Sequence, residues 1–491
     1  MRRLAPFGWL LAVTGCVGLN PRFDESQTDG SSAGGGGTSS TPESSTSAAS
    51  TVSGTGSSAT AAATSTGIGT TDDTVGTPHA VVFTDDAWDG EFAAAEDLGS
   101  VGWNENSIQL LGTSNEGVLE SRIFDAGNPT QWNELRWAPR APYETHLQFP
   151  IDEEALAYPT GNTSVDALQF LAHLEGGPFL HDAPVEDATG LHPARWIGAP
   201  DDDASAEIRG VFGRGLSHDD NNNTAAYRIE LDEAVEPGTG PFTWTVWYRS
   251  KSCSNMYMMA LDSRVVDPDN AGLHFLACGG GPAFGCRDAA SSHAIGFIQG
   301  AGQTVATRVC SATVIDDGRW HHIALRRTVA GTGQDLQIFV DGALSGTLPS
   351  LTTSITDVSV HPGIEEPEEF TLAGGNEASY SGAGAYDEFA LWNRALQPAE
   401  IANLYRRGAR VARFQVRACE EPDCSDRDFT GPGGADISAG YVDPGLQAGH
   451  TIDLSGLELN GRYIQYRFLL GRPNAMPSPA IEAVTISGIR Q

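Results

Sequence analysis

The sequence is poor in basic residues and has almost no lysine. Lys and Arg together number 29 against 63 Asp and Glu, the net charge is −34, and Lys251 is the only lysine. Because nucleic acids and anionic membrane surfaces attract proteins through basic patches, this balance argues against both as electrostatic partners. Long apolar runs are missing too. The stretch from Leu4 to Val13 is too short to span a bilayer.

Cysteine is scarce, and the first of the seven stands in a distinctive context. The basic start Met1-Arg2-Arg3 and a short apolar stretch precede Val13-Thr14-Gly15-Cys16, which resembles the lipobox of bacterial lipoproteins. The resemblance implies a signal peptide over 1–15, a lipidated Cys16 and export to the cell envelope. Val17 is not the Asp that marks inner-membrane retention, so we expect the outer membrane. The alternative is an apolar start with a chance cysteine.

The other six cysteines predict three disulfides in an exported protein. The close spacing of Cys419 and Cys424 favours a bond that clips a hairpin or a tight loop. The remaining four allow three connectivities. We favour one bond across the turn 279–282 and a second that joins two strands, namely Cys278–Cys286 and Cys253–Cys310. The alternative is unpaired buried thiols.

A low-complexity segment follows Cys16. Residues 30–77 are almost wholly Ser, Thr, Gly and Ala and contain no aromatic residue. Such a segment cannot bury enough apolar surface to offset the entropy lost on ordering. We therefore predict a disordered tether over 16–78, with a reach of roughly 35–40 Å.

The clearest structural signal is the stretch Asp316–Leu325, which is followed by the apolar run Leu336–Ala343. Each contains an Asp-Gly pair next to a strand pattern, which is typical of β-hairpins. In the first strand, alternate residues place Trp320, His322 and Ala324 on one side and the residues between them on the other. Because neither side is charged, we predict a strand sandwiched between two layers.

Further landmarks surround this hairpin between residues 165 and 408. They are a near-ideal alternating strand Phe242–Tyr248, a closing strand Tyr386–Leu396 and a short helix Pro398–Arg407 whose Ile401, Leu404 and Tyr405 share a face. In this order the motifs resemble the LamG-like jelly roll of the concanavalin A-like lectin/glucanase superfamily. The resemblance implies two stacked antiparallel sheets and, in most members, binding and not catalysis.

Strand patterns on both sides of this region are too few to form two separate cores. Residues 81–160 contain three predicted strands, with a turn over Asp125–Pro129 between the last two, and residues 411–490 contain three more, beginning at Ala412, Arg462 and Ile481. The fold class we predict is all-β, with the jelly roll of 165–408 inserted into one discontinuous β-sandwich. Two small separate domains are the alternative.

Residues with catalytic potential are poorly arranged. Glycoside hydrolysis needs two carboxylates on one strand face, and Glu230-Leu231-Asp232-Glu233 comes nearest. Glu230 and Asp232 would share a face, but Glu233 would point to the other, so we interpret the segment as a solvated strand end. His321 and His322 also point to opposite faces and cannot bind one metal together. We predict no catalytic residues and a protein that is not an enzyme.

Calcium is the one cofactor that the sequence suggests. Asp219, Asp220 and Asn221 concentrate oxygen donors in a loop, as a hard cation requires. The family resemblance implies that Asp387, at the start of the closing strand, supports such a metal. A hydrated Asn/Asp turn is the alternative.

These observations predict a surface-anchored, non-enzymatic binding or adhesion lipoprotein. We expect the membrane to be contacted through the lipid anchor only. The predicted ligand is a polysaccharide or a cell-surface protein, bound on loops or on the concave face of the jelly roll, and the loops around Asp219 and Asp387 are the expected place. The alternatives are a structural envelope component without a specific ligand and a divergent glycoside hydrolase.

Overall fold

The structure is a computed structural model that describes residues 79–491 except for a set of loops: 88–90, 96, 105, 157, 177–179, 198–205, 219–227, 233–234, 236, 238, 252–255, 263–271, 278–292, 300–306, 331–332, 350–368, 374–383 and 474–475. The predicted signal peptide, Cys16 and tether lie outside the described residues. All the described residues belong to one compact unit. Among them, no helix combines the length and the apolar character that crossing a membrane requires.

β-Strands dominate the described part of the chain, and every strand pairing is antiparallel. The strands are β1 Ala80–Asp86, β2 Asp97–Gly99, β3 Val101–Asn104, β4 Ser107–Leu110, β5 Glu116–Glu120, β6 Phe124–Pro139, β7 Leu168–Ala172, β8 Pro184–Val185, β9 Ala194–Ile197, β10 Ala206–Arg209, β11 Arg214–His218, β12 Arg228–Leu231, β13 Phe242–Arg249, β14 Met256–Asp262, β15 Gly272–Ala277, β16 His293–Gln299, β17 Thr307–Val314, β18 His321–Ala330, β19 Gly333–Val340, β20 Ala343–Leu348, β21 Glu369–Leu372, β22 Gly384–Trp392, β23 Val411–Cys419, β24 Thr451–Asp453, β25 Asn460–Gly471 and β26 Ile481–Arg490. The α-helices of the described residues are α1 Glu153–Leu156 and α2 Pro398–Ala409, and short 3₁₀ helices occur at Glu91–Ala94, Ile437–Ala439, Leu446–Ala448 and Ser455–Leu457.

Strands from the two ends of the described chain form one sheet, which we call the frame. Its order is β2-β5-β25-β6-β26-β4-β3, with β1 on β26, β23 on β25 and β24 on β6. The C-terminal strands β25 and β26 thus lie between N-terminal strands. Both parts also contribute to one hydrophobic core, for example through Trp132, Leu135, Phe414 and Phe468. Neither part could form this core alone, which is why the chain returns to the frame after the jelly roll.

Strand β6 corrects the turn that we predicted over Asp125–Pro129. The strand runs through these residues, and they form a bulge: the register passes from the Asp125–Tyr463 pair to the Thr130–Gly461 pair. Gly127 has a φ of 76° and supplies the local conformation that most residues avoid. The composition of this segment thus predicts irregular backbone, which is present, but the strand does not end there.

The inserted domain consists of two stacked eight-stranded sheets. The sheet that lies under α2, here the junction sheet, has the order β10-β11-β22-β13-β18-β19-β20 with β7 on β22, and the outer sheet has the order β17-β16-β15-β14-β21-β12-β9-β8. Side chains from both sheets, among them Trp244, Phe275, Leu325 and Phe389, form a shared core. The predicted fold class, an all-β chain with an inserted two-sheet antiparallel jelly roll, is confirmed.

The strand predicted to lie between two layers is β18. Ile323 and Leu325 face the core between the sheets, while Ala324 faces a second cluster under α2. The strand begins at His321, so Trp320 precedes it. The next hairpin turn, between β19 and β20, is the predicted Asp-Gly pair: Asp341 has a φ of 52° and Gly342 of 74°, as a two-residue turn with two left-handed residues requires.

Helix α2 closes the second face of the junction sheet. It begins at Pro398, as predicted, and the Glu400 carboxylate accepts a hydrogen bond from the amide of Gln397 at 2.7 Å, which caps its first turn. Ile401 and Leu404 pack on Phe339 and Trp392. The central part of the junction sheet, around Ala324 and Ala390, is therefore buried on this second face as well.

The structure confirms the Cys419–Cys424 disulfide, with Cα atoms 5.1 Å apart. Cys310, on β17, is also disulfide-bonded. The other three cysteines of the predicted pairs, Cys253, Cys278 and Cys286, lie outside the described residues, so the favoured connectivity stays a prediction.

Candidate functional site

A cleft of about 560 Å³ lies where the junction sheet, α2 and the frame meet. Its volume falls in the range of ordinary ligand pockets, about 300–1,000 Å³. We call it the junction cleft. Its walls come from the end of β13, the turn before β18, the β10–β11 and β19–β20 turns, the last two turns of α2, and the frame near Glu144, Arg413 and Pro473.

Trp320 is the most prominent aromatic side chain of the cleft and is half-buried. The turn before it is fixed by Asp317, which accepts hydrogen bonds from the amide of Arg319 at 2.9 Å and from its Nε at 2.7 Å. The Gly318 amide donates to the Ser250 carbonyl at 2.8 Å, and Gly318 has a φ of 84°. This anchoring presents the indole at the cleft instead of in the core.

His321 links two acidic groups at the base of the cleft. Its Nδ1 lies 2.9 Å from Oδ2 of Asp341, and its Nε2 lies 3.1 Å from Oδ1 of Asp317. Burial opposes the charged form of the ring, but the bonds to Asp341 and Asp317 outweigh it and raise the pKa of His321. Asp341 also accepts from the amide of His322 at 3.1 Å. Asp341, in the turn between β19 and β20, thus holds the start of β18 in place.

The helix side of the cleft depends on a close approach between α2 and β13. The Tyr405 ring centroid lies 5.8 Å from that of Trp247. A Cβ at Gly408 would stand 2.5 Å from Cζ2 of Trp247, so only glycine allows this contact. Burial, with a contribution from Asp341, raises the pKa of Tyr405 to about 12, so its hydroxyl is protonated and can donate a hydrogen bond to a ligand.

The frame side is closed by a charged pair. Arg413 donates from Nη2 to Oε1 of Glu144 at 2.6 Å and from Nε to Oε2 at 3.3 Å. Burial raises the pKa of Glu144, and Arg413 acts in the opposite direction. This two-pronged pair fixes the wall because an Arg–carboxylate fork has a defined geometry.

Arginine dominates the charge of the cleft although the chain as a whole is acidic. Four arginines line it, against the carboxylates of Glu144 and Asp341. Arg413 is paired with Glu144, and the Arg249 guanidinium lies 4.8 Å from the Trp320 ring centroid. Within the part of the chain that the structure describes, neither Arg209 nor Arg249 has an ion-pair partner. The cleft can therefore offer fork-shaped donors to an incoming anion.

The structure places the predicted metal residues as follows. Asp387 is fully buried, and its Oδ2 accepts from the amides of Val211 and Phe212 at 2.7 and 3.0 Å. Its Oδ1 has no hydrogen-bond partner among the described residues. Burial, reinforced by Glu388, raises the pKa of Asp387 well above its usual range. The other three predicted ligands, Asp219, Asp220 and Asn221, lie outside the described residues, so a calcium site stays a prediction.

The carboxylates considered for hydrolysis lie on the outer sheet. Glu230 alternates with the core residues Ile229 and Leu231, so it faces away from the core. Arg228 donates to its Oε1 and Arg195 to its Oε2. The Glu230 side chain is only 12% exposed, so these ion pairs cover most of it, which differs from the predicted solvated strand end. Asp232 is half exposed, and Glu233 lies outside the described residues.

Sequence reasoning interpreted Trp320 and His321 as scaffold and overlooked Arg249, Tyr405 and Arg413. A half-buried Trp beside an Asp-Gly turn was the available signal for the first two. The others come from segments more than 70 residues away in the chain, so only the folded structure brings them together.

Two stacked antiparallel sheets of this topology define a β-sandwich of the jelly-roll class. Residues 221–402 match the family model Laminin_G_3 of the concanavalin A-like lectin/glucanases superfamily. The predicted LamG-like jelly roll of that superfamily is therefore confirmed for the inserted domain. The match includes most of the junction sheet and the first half of α2. No curated protein sequence matches the chain.

Several solved structures resemble part of the chain. The binding domain of Paraclostridial Mosquitocidal Protein 1 has 14% identity and a TM-score of 0.32, over 49% of this chain and 52% of that one. Domain 4 of AbnA, a GH43 extracellular arabinanase from Geobacillus stearothermophilus in complex with arabinotriose, has 14% identity and a TM-score of 0.34, over 48% and 98%. The binding domain of botulinum neurotoxin DC in complex with SialylT has 12% identity and a TM-score of 0.34, over 52% and 56%.

The chain thus spans about half the length of the mosquitocidal binding-domain structure. At these identities and TM-scores the resemblances say nothing about the ligand of this chain.

Proposed function

We propose that the chain is a surface-anchored, non-enzymatic binding lipoprotein whose junction cleft binds a polysaccharide with acidic groups. The observation that carries the proposal is the cleft itself, in which Trp320 and Tyr405 stand beside Arg209 and Arg249. Sugar rings present apolar C–H faces and many hydroxyls, and an aromatic ring next to polar donors complements both. Arginine forks complement a sugar carboxylate or sulfate.

Electrostatics favour an acidic ligand over a neutral one at this position. The net charge of −34 repels polyanions at long range, but screening limits that repulsion to about 8–10 Å at physiological salt. Inside the cleft four arginines outnumber the two carboxylates, Glu144 and Asp341. We therefore expect binding that is modest in affinity and weakens as salt is raised from 0.05 to about 0.5 M.

The test is a glycan array probed with the full chain in mild detergent, with and without calcium. We expect retention on spots with uronic acid, sialic acid or sulfate groups, and weaker retention on matched neutral glycans. Binding only to neutral glycans would overturn the acidic specificity. Absence of binding to any glycan would overturn the sugar ligand and leave the cell-surface protein and the structural component as the remaining functions.

We also propose that the chain is exported and anchored through lipidated Cys16 to the outer membrane. The lipobox-like sequence Val13-Thr14-Gly15-Cys16 supports this. An alkyne-labelled fatty acid should be incorporated into the parent chain and not into Cys16→Ser, and cell fractionation should place the label in the outer membrane. Equal incorporation in both chains would contradict the anchor.

Calcium is proposed as a structural ion near Asp387, with the oxygen donors of Asp219, Asp220 and Asn221. The unpartnered Oδ1 of Asp387 is the described atom that fits this role. Calcium should raise the melting temperature of the parent, and Asp219→Asn combined with Asp220→Asn should remove that rise. An unchanged melting temperature of the parent would exclude the site.

A further inference from the structure

Two histidines and a glutamate from three separate segments meet beside the junction cleft. His146 follows β6, His173 follows β7, and Glu388 lies in β22. Nδ1 of His146 is 2.5 Å and Nδ1 of His173 is 2.7 Å from the same oxygen, Oε1 of Glu388. The three potential ligand atoms all lie within 4.8 Å of one another. We call this group the His-Glu cluster.

Glu388 reaches the cluster because β22 contains a bulge. Tyr386 and Phe389 both face the core between the two sheets, although strict alternation would separate them. The pairing with β13 shifts at this point, from Trp247–Asp387 to Thr245–Ala390, and Glu388 has a φ of 52°. Non-glycine residues rarely adopt this conformation, and it is concentrated at functional sites. The bulge turns the Glu388 side chain away from the core.

Neighbouring residues hold both the ring and the backbone of His146. Nε2 of His146 lies 3.3 Å from Oε1 of Glu175, and the Glu175 carboxylate accepts from the amide of Arg214 at 3.1 Å. The backbone carbonyl of His146 accepts from Nη1 of Arg407 at 2.9 Å. Histidines that bind metals ordinarily donate their second N–H to a carboxylate or carbonyl, as His146 can donate to Glu175.

We propose that His146, His173 and Glu388 form a binding site for a divalent transition metal of the zinc class, with Glu175 as the outer carboxylate. Two imidazoles and one carboxylate suit zinc and its neighbours and not calcium, which takes oxygen ligands. This site shares no residue with the predicted calcium site. Nor does it depend on a sugar ligand in the cleft.

The geometry requires only small movements to admit an ion. With metal–ligand bonds of about 2.1 Å in tetrahedral arrangement, neighbouring ligand atoms are about 3.4 Å apart. Each nitrogen must therefore move away from Oε1 by less than about 1 Å, and the two nitrogens, which lie within 4.8 Å of each other, must approach by at most about 1.4 Å. The His146 and His173 side chains are about one quarter exposed, at 27% and 25%, while that of Glu388 is 9% exposed. The exposed side provides an entry path and an open fourth position for water.

A metal at this place would join two parts of the fold. His146 belongs to the segment between the frame and the jelly roll, whereas His173 and Glu388 belong to the jelly roll. Because an ion that binds only the folded state stabilises it by mass action, loading should raise the melting temperature of the full chain. The ion would act as a clamp at the border of the junction cleft.

The test is metal binding to the full chain after treatment with a chelator. Titration with Zn²⁺ by calorimetry, and with Co²⁺ by visible absorption, should show one ion per chain and the intense bands of a four-coordinate Co²⁺. His173→Gln should weaken binding at least 100-fold. Glu175→Gln should weaken it about 10- to 100-fold, as loss of an outer carboxylate does. His181→Gln, a partly exposed histidine outside the cluster, should leave affinity unchanged.

Two results would overturn the proposal. One is a parent chain that binds no stoichiometric Zn²⁺ or Co²⁺, which would make the cluster an ion-paired group without metal. The other is a His173→Gln chain that is folded by circular dichroism and binds as tightly as the parent. If His173→Gln fails to fold, Glu175→Gln and the parent titration still decide the question.

Discussion

Arginine side chains have different surroundings on the two sides of α2. On one side Arg407 is fully buried and closed off: it donates to Glu153 at 2.6 Å and to the carbonyl of His146 at 2.9 Å, and both side chains of the ion pair are at most 2% exposed. On the other side the helix presents Tyr405 to the junction cleft, where Arg249 lies on Trp320 without an ion-pair partner among the described residues.

The difference separates scaffold from site. A buried charge is tolerated when it is paired, and Arg407 is paired with Glu153, although its Nε and the Oε1 of Glu153 have no hydrogen-bond partner among the described residues. The Arg407 side therefore fixes the helix against the segment between the frame and the jelly roll. A binding surface needs donors that are still available to a ligand. The junction cleft has these because it is open to solvent, which lowers the desolvation that unpaired arginines suffer.

Loss of the buried arginine should have the largest effect. Arg407→Leu leaves Glu153 as an uncompensated buried charge and should lower the free energy of unfolding by about 3–5 kcal/mol. Urea denaturation measures this. Arg406→Leu, on the same helix but half exposed and hydrogen-bonded to Asn403, is the control and should cost less than about 1 kcal/mol. Equal losses in the two variants would contradict the assignment of Arg407 to the scaffold.

The next effect concerns His322, which lies under α2 next to Trp247. Burial lowers the pKa of His322 to about 4. Between about pH 6.5 and 4 the unfolded chain therefore binds a proton that the folded chain does not. The free energy of unfolding should therefore decrease as the pH is lowered through this window, by up to roughly 3 kcal/mol from this group.

His322→Gln should flatten that part of the stability–pH profile relative to the parent. His181→Gln serves as control and should keep the parent slope, since this histidine is partly exposed. Identical profiles for parent and His322→Gln would show that His322 is not the group responsible.

The close packing at Gly408 should have a smaller effect. Gly408→Ala adds a methyl group 2.5 Å from the Trp247 ring, which forces the helix away from β13. The gain in helix propensity, about 1 kcal/mol, offsets part of an overpacking cost of about 1–3 kcal/mol. Thermal unfolding should therefore show a net loss of about 1 kcal/mol in the free energy of unfolding. Titration with a glycan should show weaker binding. A stabilised protein with full binding would contradict the account of the cleft wall.

Local patterns were enough to predict much of the fold. The Asp341-Gly342 turn, the start of α2 at Pro398 and the Cys419–Cys424 bond all depend on residues close in sequence, and their physics is local. The return of the chain to the frame was also predictable, because neither flank has enough strands for a core.

The site was not predictable in the same way. Alternation continues through Trp320 and predicts a strand position for it, but the strand begins one residue later and leaves the indole in the cleft. The bulge at Glu388 is invisible in sequence, since Tyr-Asp-Glu-Phe reads as ordinary alternation. His146 and His173 meet it only through packing between segments that are distant in the chain.

The most direct test of the junction cleft is titration of the full chain with the acidic glycan that the array retains best. Trp320→Ala should weaken binding about tenfold, or ~1.4 kcal/mol, as expected for loss of an aromatic contact, and should change stability by less than about 0.5 kcal/mol. Trp103→Ala, a 36% exposed tryptophan on the frame, should bind like the parent. Equal affinity of the parent and Trp320→Ala would contradict a ligand site in the junction cleft.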